Sequence, residues 1–293
     1  MSYSMQKRLV VVSFLFIPVA LLLLFLLYPS LRLLQFSLTD WNGMSKTFHY
    51  VGFDNYVEAF RNPDVWKALT NNFLYFGIHA VFIPLEAMLA VFLNNKMRAS
   101  RFFRSIVFMP YILNGVAVAY LFSFLYNPIN GPINALLEAV GLESWIRNWL
   151  SDKSMVNYSL VVVSLWRFSG LHVVLFLAGL QSIPNDLYEA ATIDGAGPLK
   201  KFVHITLPGI SRVMEIVLFL NVRGALQVFD IPFLMTQGGP GLASTTFTVY
   251  TIQTAFKYNN YGLASSLAVI LMLMIIVFSY LQGRLFKGKG DSA

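Results

Sequence analysis

The chain has 293 residues, 57% of them hydrophobic and only 12% charged, with a net charge of +7 and no cysteine. A soluble domain carries roughly twice that share of charge, so the composition indicates a membrane protein, and the missing thiols exclude a disulfide framework and thiolate metal or nucleophile chemistry. The basic residues are scattered between apolar runs and form no stripe, which argues against a nucleic-acid partner and leaves the charge to be read against membrane topology.

Six segments are apolar and long enough to cross a bilayer: 9–30, 72–93, 106–126, 158–180, 210–235 and 263–285; each needs about 20 residues. The expected fold class is all-α, a polytopic membrane protein with six transmembrane helices and membrane lipid around it. The whole chain, 1–293, reads as one membrane domain, with 72–285 as its core and 1–71 as the first span and first outside loop. Lys7 and Arg8 precede the first apolar run. That run is too long for a signal peptide and no small-residue cleavage site follows it, so an uncleaved anchor is expected.

Lys and Arg set the expected orientation. With the N-terminus in the cytoplasm, the inside segments carry Lys7, Arg8, Lys96, Arg98, Arg101, Arg104, Lys200, Lys201, Arg212, Arg284, Lys287 and Lys289. The longer outside loops carry fewer, namely Arg32, Lys46, Arg61, Lys67, Arg147, Lys153 and Lys257. The positive-inside rule then places both termini in the cytoplasm. Trp41, Trp145, Trp149 and Tyr158 flank the spans, where amphipathic rings favour the headgroup region.

Ionisable residues inside spans are costly and face a protein interior or a water-filled path. Asn72, His79 and Glu86 recur at seven-residue spacing on the second span, which is one helical face. Arg167 lies in the fourth span, and Arg223, Gln227 and Asp230 share a face of a continuous fifth span. Two readings stand. These side chains line a path for a polar solute, or they satisfy one another between helices, with Arg223 paired to Asp230. His79 stands alone, so no metal site is expected.

The inside loop between spans four and five, 181–210, is the most informative stretch. A helix is expected to start at Pro184, since proline lacks only an N–H that the first turn leaves unpaired. Asp186 in the first turn suits the helix dipole. Gly195 supplies a left-handed cap, and Pro198 prevents simple continuation. The pattern Glu189-Ala190-Ala191, three residues, Gly195, nine residues, Ile205, one residue, Leu207-Pro208 resembles the EAA loop of binding-protein-dependent ABC permeases. Ser164-Leu165-Trp166-Arg167, the run 176–184, Val228-Phe229-Asp230, Thr236-Gln237-Gly238-Gly239-Pro240, Ala255-Phe256 and 261–264 extend the likeness to the carbohydrate-uptake permeases. The match is to the partner that carries Gly-Gly-Pro before its last span. Gln237 departs from the pattern, where many relatives have glycine.

The resemblance implies a type I importer permease in the bacterial inner membrane. It implies a second homologous permease that completes a heterodimer, two ATPase subunits beneath, and an extracytoplasmic sugar-binding protein outside. Glu189, Ala190, Ala191, Asp194 and Gly195 would form the ATPase contact, and Leu207 and Pro208 the turn into span five. The polar path would then carry a neutral mono- or oligosaccharide, while Arg167 and Arg223 leave room for an anionic one. No cofactor is expected on this chain; ATP and Mg²⁺ would sit on the partner ATPase. A near-match to a phosphate-binding loop, Gly283 to Gly288-Lys289-Gly290, lacks the final Ser or Thr and the preceding strand, so it reads as a basic tail. The chain is therefore expected not to be an enzyme. The rivals are a stand-alone secondary transporter, which needs no ATPase-docking helix, and an intramembrane enzyme, which needs clustered carboxylates where Glu86, Glu215 and Asp230 are dispersed.

Overall fold

A computed structural model describes residues 3–94 and 99–290, with the side chains of 287–290 excepted. Lys96, Arg98 and the side chains of Lys287 and Lys289, part of the topological charge count, lie outside the described residues. The described chain is helical, with one isolated bridge between Thr39 and Tyr50. Two compact units form, Met1–Pro63 with Thr251–Leu273 and Asp64–Tyr250 with Met274–Ala293.

In the first unit the helical run Tyr3–Phe36 is 34 residues long and outruns the expected 9–30 at both ends. Its apolar side chains, Phe14, Phe16 and Phe25 among them, are exposed, as lipid contact requires. It holds a π turn at Leu23–Leu27 that ends just before Pro29. Proline cannot donate to the carbonyl four residues back, and the wider turn absorbs that loss. Beyond it, buried Asn55 donates to Ser37 O and Thr39 O at 2.9 and 2.8 Å. Gly262 packs so closely on Thr39 O that a Cβ there would collide with it. The Tyr261-Gly262-Leu263 signature thus has a packing reason, and it opens the last helix, Tyr261–Gly290. The phosphate-loop near-match lies on that helix, with no strand before it.

The second unit holds the remaining long helices Pro63–Asn94 and Val156–Gln181 and the segments 100–125 and 211–236. Two of the expected spans depart from straight rods. The third is two helices, Ser100–Ile112 and Gly115–Leu125, bent by 97°. Pro110 removes one hydrogen bond near the end of the first arm, Leu113 and Asn114 are extended, and the Asn114 side chain caps the second arm by accepting from Val116 N at 2.8 Å. An asparagine that satisfies a free N–H at a helix start favours a new helix over a continuing one. The fifth is also broken, ending at Leu226 and restarting at Asp230–Thr236.

A helix end leaves carbonyls unpaired, and inside a membrane protein something other than water must pair them. Asn72, 1% exposed, does so from the second span. Its Nδ2 donates to Ala225 O and Leu226 O at 2.6 and 3.1 Å, and its Oδ1 accepts from Phe247 N at 2.8 Å. Thr246 Oγ1 donates to Val228 O at 2.7 Å. Asn71 Nδ2 donates to Ala243 O and Thr245 O. The Gly-Gly-Pro turn is held by the same network: Ser244 Oγ donates to Gly239 O at 2.6 Å, and Thr245 Oγ1 to Gly238 O at 2.9 Å. Gln237 ends the helix at φ +50, a left-handed position that favours glycine.

Asn72→Ala leaves two carbonyls and one N–H unpaired in the buried core. We expect a loss of stability of about 1–3 kcal/mol per orphaned group, read as a lowered melting temperature of the detergent-purified protein. An unchanged melting temperature would remove Asn72 as the cap of the broken span.

Candidate functional site

A cavity of about 480 Å³ opens between the second, fourth and fifth spans, within the range of about 300–1,000 Å³ usual for small-ligand pockets. Its aromatic lining is Tyr75, Tyr111, Phe168 and Phe229, and its polar lining is His79, Ser164, His172, Asn221, Arg223, Gln227 and Asp230. Aromatic faces beside hydrogen-bonding groups suit a ring with polar edges and apolar faces. Tyr75 is 1% exposed and its hydroxyl has no protein partner.

Of the expected pathway residues four line the cavity, and Glu86 and Arg167 do not. His79, Arg223, Gln227 and Asp230 line the cavity. His79 Nε2 lies 3.0 Å from Ser164 Oγ, which ties span two to span four. Glu86 does not line the cavity; it is buried and bonded to His172 Nδ1 at 2.8 Å. His172 is an ionisable residue within a span that the sequence reading passed over, although the rule applied to His79 covers it as well. Tyr75, Tyr111, Phe168 and Asn221 carry no comparable signal, since buried tyrosine and phenylalanine are ordinary core residues.

The expected pairing of Arg223 with Asp230 is corrected. The helix stops at Leu226, so the i, i+7 relation does not exist, and Asp230 begins the next helix. Its Oδ2 pairs with Arg167 NH1 from span four, and its Oδ1 accepts from Ile231 N at 3.0 Å. Arg223 Nε instead donates to Gln227 Oε1 at 3.2 Å. The Arg167 side chain is 14% exposed and its guanidinium lies 5.0 Å from the Phe168 ring. Gly115, which opens the second arm of the bent third segment, sits against this pair; a Cβ there would lie 2.6 Å from Asp230 Oδ2 and 2.9 Å from Arg167 NH1. The Asp230 carboxylate stands in the first turn of its own helix, where the dipole favours a negative charge.

The second candidate surface is the loop after span four. Asn185–Ile193 is helical, with Pro184 as extended N-cap and Asp194 as C-cap, so the helix begins one residue later than expected. Gly195 has φ +75 and no atom within 4 Å of a would-be Cβ. Glu189, Ala190 and Asp194 are exposed and Ala191 is half-buried. Leu187, Ile193 and Leu199 are exposed apolar residues, Ile193 by 87%. Tyr188 OH lies 2.9 Å from Thr206 Oγ1, and Lys201 Nζ donates to Thr192 Oγ1 at 2.7 Å, which braces the helix against the segment that follows. That segment, 198–209, is helical with a π turn at Phe202–Thr206 just before Leu207 and Pro208.

The pair is partly buried, the Arg167 side chain 14% and the Asp230 side chain 38% exposed; removing one member costs up to about 3–5 kcal/mol in a fully buried site and less here, whereas replacing both with apolar groups is close to neutral. Asp230→Leu should therefore lower the yield of folded subunit sharply, and Arg167→Met with Asp230→Leu should restore much of it. Equal yields for the single and double variants would show that the pair does not hold the two segments together.

The family model described as "Binding-protein-dependent transport system inner membrane component" matches residues 83–289. The chain is 36% identical over 285 residues to the probable ABC transporter permease protein YurN of Bacillus subtilis (strain 168), covering 96% of this chain and 97% of the relative. It is 32% identical over 275 residues to the arabinooligosaccharides transport system permease protein AraP of the same organism, covering 92% and 86%. In fold it is similar to a chain in the crystal structure of a bacterial ABC transporter involved in the import of the acidic polysaccharide alginate, with TM-score 0.85, 22% identity and 97% of each chain covered. With most of its length inside that family model, and a relative of more than a third identity along nearly all of it, the chain belongs to the family of binding-protein-dependent transport system inner membrane components.

Proposed function

We propose that this chain is one permease subunit of a bacterial ABC importer for a mono- or oligosaccharide. It acts as a single permease domain in the cytoplasmic membrane with both termini inside. It forms the translocation path with a second, homologous permease, receives its substrate from an extracytoplasmic sugar-binding protein, and is driven by two ATPase subunits that hold ATP and Mg²⁺. The chain itself performs no chemistry. The saccharide reading is supported by the AraP relative and by the aromatic and polar lining of the cavity.

The observation that carries the proposal is the helix Asn185–Ile193. A helix of nine residues is too short to be stable alone in water, and it presents Leu187 and Ile193 beside Glu189 on an uncovered surface. Such a helix needs a protein groove to sit in. Glu189, Ala190, Ala191, Asp194 and Gly195 are the contact, with the alanines allowing close approach and the glycine setting the exit. Leu207 and Pro208 carry the displacement into span five. A stand-alone secondary transporter has no use for this surface.

At φ +75 a β-branched side chain is strained, so Gly195→Val should displace the helix, and Glu189→Lys should reverse one contact. Transport should fall at least tenfold in Gly195→Val and less in Glu189→Lys, and the ATPase that co-purifies with the unaltered complex should be lost from Gly195→Val. An unaltered complex that retains no ATPase, with both variants transporting normally, would overturn the proposal.

Topology is tested separately, since the chain has no native cysteine. Single cysteines at Lys46, Trp145 and Gly241 should react with a membrane-impermeant thiol reagent in intact cells, and one at Ala196 only after permeabilisation. Labelling of the Ala196 position from outside would invert the orientation.

A further inference from the structure

We infer that the cavity takes an anionic saccharide and that Arg223 holds its carboxylate or equivalent oxyanion; this rests on the cavity being the saccharide path proposed above. Arg223 stands near the middle of the 26-residue span Ser211–Thr236, the depth at which a charge is most costly to leave in lipid. Its side chain is exposed on the chain and lines the cavity. A guanidinium so placed needs water, a ligand or an acid.

Among the described residues none supplies that acid. Among the described residues the ion pairs are His49 with Asp40, Arg167 with Asp230 and His172 with Glu86. Arg223 donates from Nε to a neutral acceptor, Gln227 Oε1, and among the described residues its two terminal nitrogens have no acceptor. The cavity's one carboxylate, Asp230, is committed through Oδ2 to Arg167 and through Oδ1 to Ile231 N. Asp230 is thus closed on Arg167, and Arg223 faces the cavity without a carboxylate of its own on the lining. The contrast with Arg167 is informative: one guanidinium of this unit is neutralised at its wall and the other is left open to the cavity.

The open end of a guanidinium is a planar fork that matches a carboxylate, sulfonate or phosphate with two parallel hydrogen bonds. A second observation also points to a ligand. Tyr75, 1% exposed, is a lining residue of the same cavity, and its buried hydroxyl has no protein partner, although buried hydroxyls are ordinarily bonded. Tyr111, Phe168 and Phe229 supply the aromatic part of the same lining. The competing account is a carboxylate on the second permease that pairs with Arg223 in the assembled importer.

The test uses the purified whole importer in lipid nanodiscs without its binding protein. Equilibrium binding is measured for a 1,4-linked digalacturonate and its neutral digalactose counterpart, and for glucose 6-phosphate against glucose. At least one anionic probe should bind on the order of tenfold more tightly than its neutral counterpart, a difference of about 1.4 kcal/mol. Arg223→Gln should abolish that preference, and Arg223→Lys should keep part of it. The anionic arm that shows the preference distinguishes a uronate from a sugar phosphate. Neutral binding without any anionic preference, or a preference that survives Arg223→Gln, overturns the anion inference and leaves the saccharide path standing. Binding of none of the four probes overturns both. Recovery of the second permease with the Arg223→Gln chain should be unchanged; its loss assigns Arg223 to a subunit contact and overturns the inference.

Discussion

The ion pair between Arg167 and Asp230 is the contact on which the second unit turns. Two charges inside a membrane-spanning bundle must neutralise each other or meet water, and this pair joins span four to the restart of span five. Gly115 is the third party, because only a residue without a Cβ lets the bent third segment start its second arm against both charged groups. The breaks in the third and fifth segments therefore lie beside the same pair. A straight fifth helix would carry Asp230 round with its own turns instead of setting it at the head of a new helix beside Arg167.

Breaking helices inside a bundle has a cost in unpaired backbone groups, and the surrounding polar residues offset it. Asn72, Asn71 and Thr246 bond the carbonyls and N–H groups that the interrupted fifth span and the Gly-Gly-Pro turn leave open. Irregular backbone at membrane depth is tolerated where protein buries it or where it borders a cavity, and here it does both. The side chains at the break, Gln227, Phe229 and Asp230, line the cavity because the chain leaves the helix there.

The same span links the two candidate surfaces. It begins at Ser211, directly after the segment braced to the exposed helix through Tyr188–Thr206 and Thr192–Lys201, and it ends with Arg223 and Gln227 at the cavity. On the reading proposed, a displacement of helix 185–193 is carried by one covalently continuous element to the cavity wall. Helices transmit such motion because packed cores resist gradual deformation.

The apolar runs, the asymmetry of Lys and Arg, and the loop 181–210 were legible in the residues alone. Each rests on local properties: segment length against bilayer thickness, charge near segment ends, and turn chemistry at Pro184, Gly195 and Pro198. The exposed helix and its left-handed glycine stand within one residue of where those signals put them. The partner of Asp230, the pairing of Glu86 with His172 and the role of Asn72 were not legible. They depend on which side chains distant in sequence come within about 3 Å, and helical periodicity assigns a face to a residue without naming what meets it. Periodicity also assumes a continuous helix, so Arg223 and Asp230 were placed together by a rule that stops applying at Leu226. Hydropathy over 106–126 is satisfied equally by a straight span and by two helices at a right angle; Pro110 and the Asn114 cap favour the break, and the docking of Gly115 on the Arg167–Asp230 pair is a contact that only the tertiary structure sets.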